Sequence, residues 1–222
     1  MAPAPIRLLV VDDDPAVRAA YRAMFEPHPE LTLVGELADG ADAVAGYERL
    51  RPDVVLMDLH LPRISGVEAT RALCGRWPDA VVVVMTTFSS REHVVAALRA
   101  GASGYLVKGV AVGGLVVALR QAIAGEMPLS AAVRRELVAS LGTGQPARGH
   151  TLTAREVELV GRLAHGLSNA QIARRMHLSE GSVKQYVARI GDKLGVRART
   201  QILIRAIQLG IVDPDALPPT TR

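Results

Sequence analysis

Residues 53–66, DVVLMDLHLPRISG, leave few folds open to this chain. Val54, Val55, Leu56 and Met57 form an unbroken apolar run that ends on Asp58, and Leu61-Pro62 and Ser65-Gly66 then punctuate it. A short apolar run without polar alternation, closed by turn residues, predicts a strand covered on both faces, as in a parallel sheet. Asp58 then stands at the C-terminal end of that strand, where open α/β sheets gather their ligands. A lone Asp in such a place would do no more than cap the next turn. Here other segments bring chemistry to the same edge.

Taken in order, Ile6 to Val11 is a second buried-strand run and ends in Asp12-Asp13-Asp14. Pro15 opens a helix, as proline does at a first helical position, with Val17, Tyr21, Met24 and Phe25 on its apolar face. Leu31 to Leu37 reads as a strand, Ala41 to Leu50 as a helix that Arg51-Pro52 ends, and Val67 to Arg76 as a helix that Trp77-Pro78 ends. Val81 to Met85 is again a strand, with Thr86-Thr87 at its end. A helix from Arg91 to Ala100 stops at Gly101, Gly104 to Val107 forms the fifth strand before Lys108, and Gly113 to Ala124 the last helix of this half. Strands alternating with helices predict a doubly wound, five-stranded parallel sheet, an α/β fold.

Such a sheet brings its strand ends to one edge, which here collects Asp12, Asp13, Asp58, Thr86 and Lys108. Crowded carboxylates repel and are driven toward protonation unless a cation sits among them. A hard divalent ion with oxygen ligands answers this, and Mg²⁺ binds through one or two carboxylates plus phosphate oxygens. Lys108 adds a point charge suited to a phosphoryl oxygen, and Thr86 a hydroxyl. Together these groups describe an aspartyl phosphate, with Asp58 the nucleophile. Phosphate-cradling glycine loops are absent, so the chain is no P-loop enzyme. A haloacid-dehalogenase-like phosphatase also uses an Asp nucleophile, but normally with a second acid two residues on, where this chain has His60.

Residues 6–124 resemble the receiver domain of two-component response regulators, a flavodoxin-like fold. The resemblance implies that Asp12, Asp13, Asp58 and the His60 backbone carbonyl hold Mg²⁺. It implies that Asp58 is the phosphoacceptor, served by Lys108 and Thr86, and that Thr86 and Tyr105 form the switch pair. Asp14 departs from the family, standing where His is frequent, as does Gly109, where Asp or Pro is usual.

Composition narrows the rest. The 222 residues are 49% hydrophobic and 22% charged, which suits soluble domains with real cores. The longest apolar run, around Gly113 to Leu119, falls far short of the ~18 residues of a membrane span. The start, MAPAPIRLLVV, lacks the basic lead of a secretory signal, and Cys74 is the only cysteine, which fits a reducing cytoplasm. Residues 1–125 hold 12 Lys and Arg against 14 Asp and Glu, whereas residues 126–222 hold 14 against 8. An acidic half joined to a basic half points to two domains, the second facing a polyanion. Between them, residues 125–149 carry Gly142, Gly144, Pro146 and Gly149 and read as a linker. Val133, Leu137 and Leu141 predict a short helix inside it.

From His150 to Val212 the texture is helical, with 10 basic against 4 acidic side chains, and residues 213–222 read as a tail. Thr153 with Glu156 and Ser168 with Gln171 are capping boxes, and Ser179 caps a third helix. A fourth runs from Thr200 to Leu209. Only Met176-His177-Leu178-Ser179 separates the second and third helices, a helix-turn-helix spacing. On the third helix Val183, Val187, Ile190 and Leu194 form the apolar stripe. Ser182, Gln185, Ala188 and Arg189 oppose it, flanked by Lys184 and Lys193, a face suited to the DNA major groove.

LTAREVELVGRLAHGLSNAQIARRMHLSEGSVKQYVARIGDKLGV closely resembles the LuxR-type DNA-binding domain, matching it also at Asn169, with Tyr186 where His is common. A receiver followed by this all-α, four-helix domain resembles the NarL/FixJ-type response regulators. That resemblance implies a cytoplasmic transcription regulator, phosphorylated on Asp58 by a sensor histidine kinase and binding double-stranded DNA, with a homodimer on activation. Catalysis would be confined to its own phosphorylation and dephosphorylation. The expected DNA contacts are Asn169, Ser182, Lys184, Gln185, Ala188, Arg189 and Lys193. Two rival readings are a regulator that binds DNA without phosphorylation and an aspartyl-phosphate enzyme acting on a small substrate.

Overall fold

In the computed structural model, which describes residues 4–87, 91–129 and 152–212, the five apolar runs pair into one parallel sheet. The strands are β1 (Ile6–Val11), β2 (Leu31–Leu37), β3 (Val54–Asp58), β4 (Val82–Thr86) and β5 (Gly104–Val107), in the order β2-β1-β3-β4-β5. Every residue of β3 and of β4 is buried, which is why their sequences show no polar alternation. The helices α1 (Pro15–Phe25), α2 (Ala43–Leu50), α3 (Gly66–Arg76), α4 (Arg91–Ala100) and α5 (Val112–Ile123) cover the two faces. One face packs Leu8, Val10, Phe25, Leu115 and Leu119, the other Leu9, Val11, Val55, Met57 and Leu73. This is the flavodoxin-like doubly wound sheet. The helix expected from Ala41 begins instead as a 3-10 turn, Gly40–Asp42, started by the Asp39 side chain accepting from Ala41 N.

Register places the site. Val11 lies opposite Met57, Asp58 opposite Met85, and Thr86 opposite Val107. Asp12, Asp58, Thr86 and Lys108 therefore leave the sheet within two residues of the same level. The strand order also reverses between β1 and β3, where a doubly wound sheet opens its crevice.

Among the described residues the C-terminal part is four helices: α6 (Ala154–Ala164), α7 (Asn169–Met176), α8 (Glu180–Leu194) and α9 (Arg199–Gln208). Both expected capping boxes are closed, and Ser179 accepts from Ser182 N. Gly195 ends α8 at φ 69°, a left-handed conformation that glycine adopts without a Cβ clash. The helix-turn-helix bend is made by a non-glycine, His177, at φ 52°. The short helix expected around residues 130–141 lies outside the described residues.

The two parts share a seam. Thr200 Oγ1 donates to Ala102 O and Gln201 Nε2 to Arg99 O, both at 2.9 Å, tying the first turn of α9 to the end of α4. One apolar cluster takes in Val94, Leu98 and Tyr105 on one side and Leu159, Ile190 and Ile204 on the other. Tyr105 N donates to Pro128 O at 2.9 Å, so the chain leaving α5 runs along the edge of β5. No helix among the described residues is long and apolar enough to cross a membrane.

Gly66 sits where the β3–α3 loop turns back on itself, and a Cβ there would lie 1.8 Å from Asp58 O. In an open helix Gly→Ala stabilises by about 1 kcal/mol. At this position Gly66→Ala should instead destabilise by about 2–3 kcal/mol, because main chain must move. Urea unfolding of the full chain reads the sign, and a stabilised variant would contradict the contact.

Candidate acidic site and nucleic-acid interface

At the sheet edge, Lys108 joins the strand ends. Its Nζ donates to Asp12 Oδ2 at 2.6 Å and to Asp58 Oδ1 at 3.0 Å, while its backbone N donates to Thr86 O. Asp58 Oδ2 accepts from His60 N at 3.0 Å, so both of its oxygens are engaged. Asp12 and Asp58 are buried and Asp13 is exposed. Oxygens of Asp12, Asp13 and Asp58 lie within 4.8 Å of one another, a spacing and donor set that fit a hard divalent cation such as Mg²⁺. Burial, helped by the charge of Asp58, holds the Asp12 carboxyl above its usual range despite Lys108. Burial pulls the Lys108 ammonium down, but its hydrogen bonds to Asp12 and Asp58 outweigh this and raise it.

The loops around this edge are pinned from outside it. Arg18 Nη1 donates to Asp12 O at 2.6 Å and to Asp13 O at 3.0 Å, fixing the acidic turn from the first turn of α1. Asp14, the departure noted above, caps α1 by accepting from Ala16 N at 2.8 Å. Asp39, itself buried, accepts from Arg63 N at 3.0 Å and pairs with Arg63 Nε at 3.3 Å, tying the β2–α2 turn to the β3–α3 loop. Sequence reasoning missed Arg18, Asp39 and Arg63, since neither periodicity nor spacing marks a side chain that bonds to main chain across loops.

Thr86 and Tyr105 are both fully buried. The Tyr105 hydroxyl is buried without a hydrogen-bond partner, and burial together with the Asp58 charge pushes it up to about 12. His60 is exposed, and its ring meets that of His93 edge-on, with centroids 5.2 Å apart.

On α8, Val183 and Ile190 are fully buried, and Val187 and Leu194 pack partly buried against the same core. The opposite face is exposed at Lys184, Gln185, Ala188 and Arg189. Ser182 is half-buried, with its hydroxyl 2.9 Å from that of Ser179. Two of the expected DNA contacts, Lys193 and Asn169, have partners within the fold. Lys193 Nζ donates to both oxygens of the buried Glu156, at 2.9 and 2.8 Å, so its charge is neutralised within the fold. Asn169 is buried, accepts from Arg199 Nη1 at 2.9 Å and donates to Ala124 O at 3.4 Å. Arg199 also donates to Leu167 O. Its burial draws its guanidinium down to about 10, with the Glu126 charge opposing.

Comparison with known proteins agrees with both parts. Residues 8–120 match the model of the response regulator receiver domain, and residues 150–206 that of the luxR family of bacterial regulatory proteins. The chain is 38% identical over 208 residues to the DNA-binding transcriptional activator DevR/DosR of Mycobacterium tuberculosis, covering 92% of this chain and 95% of that one. It is 34% identical over 203 residues to the nitrate/nitrite response regulator NarL of Escherichia coli, covering 90% and 94%. Among solved structures it is similar to the response regulator ChrA of a heme-sensing two-component system. There the TM-score is 0.54 at 32% identity, covering 94% of this chain and 100% of the other.

The Glu156–Lys193 pair gives the C-terminal part a pH signature. Burial raises the Glu156 carboxyl, but the bonds from Lys193 and Thr153 prevail and hold it below its ordinary 4.5. A depressed carboxylate contributes stability above its unfolded value and loses it as pH falls through the folded one. Stability should therefore drop from about pH 6 to about pH 4, less steeply in Glu156→Gln. Urea midpoints of the two chains at both pH values test this, and parallel slopes would contradict it.

Proposed function

Since the chain belongs to the response regulators that join a receiver domain to a LuxR-family DNA-binding domain, we propose that Asp58 takes a phosphoryl group from a sensor histidine kinase and that this charge frees the C-terminal helices. The protein is a DNA-binding regulator of a two-component system, like the relatives it matches along most of its length. The observation that carries the finer reading is the buried Asp58 bridged by Lys108 inside a three-carboxylate cluster.

Asp12, Asp13, Asp58 and the His60 carbonyl would hold Mg²⁺, which when bound neutralises charge on the transferring group. An oxygen of Asp58 attacks phosphorus and the phosphohistidine nitrogen leaves. Lys108 then exchanges its contact with the Asp58 carboxylate for a phosphoryl oxygen, since a point-charge ammonium on a flexible stem can follow the charge. The Thr86 hydroxyl turns toward the same group, and Tyr105 moves into the space vacated. Tyr105 bonds through its main chain to Pro128 and packs in the cluster that reaches the C-terminal helices, so its shift bears on the seam. No substrate turnover is required; catalysis is limited to gain and loss of this phosphate.

The freed part reads the major groove with α8, through Lys184, Gln185, Ala188 and Arg189 and, near its start, Ser182. One such domain makes few base contacts, so a two-fold dimer on paired half-sites completes recognition. The protein works in the cytoplasm, where its DNA lies.

Acetyl phosphate with Mg²⁺ should label the wild type with one acid-stable, alkali-labile phosphate. Asp58→Ala and Asp13→Ala should take up none, whereas Lys108→Ala still labels but fails to dimerise. Equal labelling of Asp58→Ala would overturn the assignment. Thr200→Val combined with Gln201→Ala removes both hydrogen bonds between α9 and the end of α4. Sedimentation should show this variant dimerising on DNA without phosphate, at label uptake equal to wild type; unchanged behaviour would mean the seam does not restrain the helices.

A further inference from the structure

With Lys193 paired internally, the cations available to the DNA backbone must be sought elsewhere, and one group of them is built around an aromatic ring. Tyr186 is half-buried on α8 and packs against the hydrophobic core. The guanidinium of Arg189, one turn along the same helix, lies over its ring at 4.4 Å from the centroid. That of Arg155, from the first turn of α6, lies over the same ring at 5.9 Å. Both arginines are exposed, and among the described residues neither has a carboxylate within ion-pair distance. This sets them apart from Arg162 and Lys193, which pair with Glu158 and Glu156.

We propose that Arg155, Tyr186 and Arg189 form a clamp for a DNA phosphate flanking the groove that α8 reads, with Arg155 supplying the backbone contact. The ring carries two cations of like sign, which repel each other until an anion joins them. Stacking also removes rotamer freedom while leaving the in-plane N–H donors of each guanidinium exposed, the geometry that matches phosphate oxygens. Arg155 lies in the first turn of α6, where the helix dipole favours the same anion. It belongs to a different helix from the reading face, so it contributes to affinity for every sequence, whereas Gln185 on that face distinguishes bases. Tyr186 acts as a positioning residue: its ring is the platform, and its hydroxyl is not needed.

The clamp rests on the DNA-reading role of α8, and the experiment separates the two. Full-length protein, treated with acetyl phosphate, is titrated against a duplex that the wild type has selected from a random library and against a scrambled duplex, across a salt series. Arg155→Ala should weaken both duplexes about equally, by roughly three- to ten-fold, and lower the salt slope by about one. Arg155→Lys keeps the charge and should retain the slope. Tyr186→Phe should bind like wild type. Tyr186→Leu should weaken binding, and adding Arg155→Ala to it should cost less than Arg155→Ala alone, because the two act as a unit. Gln185→Ala, in contrast, should relax preference at one base position while keeping the slope. The clamp is overturned if Arg155→Ala leaves the slope unchanged, or if Tyr186→Phe is as damaging as Tyr186→Leu. A wild type that selects no sequence would overturn the reading role and the clamp with it, whereas loss of preference in Gln185→Ala beside an unaltered Arg155→Ala would sink the clamp alone.

Discussion

Everything at the sheet edge depends on one ammonium group held between two buried carboxylates. Two carboxylates this close together in a buried site repel, and a cation placed between them offsets that repulsion. Lys108 supplies it from the end of β5, and it can do so only because the strand register brings β1, β3 and β5 to one level. The three carboxylates still exceed the one lysine, and this residual negative charge is what a divalent cation would answer. A phosphoryl group on Asp58 would change that balance again, so the position of Lys108 reports the charge state of the site. Its backbone N–H is fixed to Thr86 O, and only its side chain is at liberty to respond.

The surroundings divide into parts built to stay and parts built to give. Arg18 holds two carbonyls of the acidic turn, Asp39 and Arg63 lock adjacent loops, and Gly66 lets main chain approach Asp58 closer than any side chain would allow. Such contacts fix the geometry in which a reaction at Asp58 would occur. The seam between α4 and α9 is of another kind. Its named polar bonds are two side chains donating to main-chain carbonyls, each of net value about 1 kcal/mol. These polar bonds add little to the apolar cluster that spans the seam, so the docking of the C-terminal helices rests mainly on that cluster.

The sheet was legible in the sequence because burial on both faces leaves an unbroken apolar run, and the helix starts were legible because capping needs particular side chains at fixed spacing. Asp12, Asp58 and Lys108 were legible for a related reason: each follows directly on such a run. What could not be read was the partner of a polar side chain. Helical periodicity places Lys193 on a flank of α8, but it says nothing of Glu156, which lies 37 residues earlier and is brought alongside only by the packing of α6 against α8. Asn169 follows a cap and looks available, yet Arg199 and Ala124 enclose it. Thr200 and Gln201 carried no signal at all, since their acceptors are carbonyls, which have no residue type to recognise. Net charge pointed to the right half of the chain, but it could not say which of its lysines and arginines the fold pairs internally, as it does Lys193 and Arg162.

Tyr105 shows how the rigid and yielding parts are joined. Its hydroxyl is buried without a partner, at a cost of about 1–3 kcal/mol relative to a satisfied or solvated group. The native packing tolerates that cost because the ring fills the cluster running from Leu98 toward the C-terminal helices, and because its own N–H is secured by Pro128. A conformation in which the hydroxyl found a partner would recover part of this energy, and moving the ring would take it out of the cluster it fills. A phosphoryl group on Asp58 would add charge beside this strand, and a hydroxyl without a partner is a group on which such a change would act. The Tyr105 hydroxyl thus stands on β5, the strand that leads into Lys108 and that also packs in the cluster reaching the C-terminal helices.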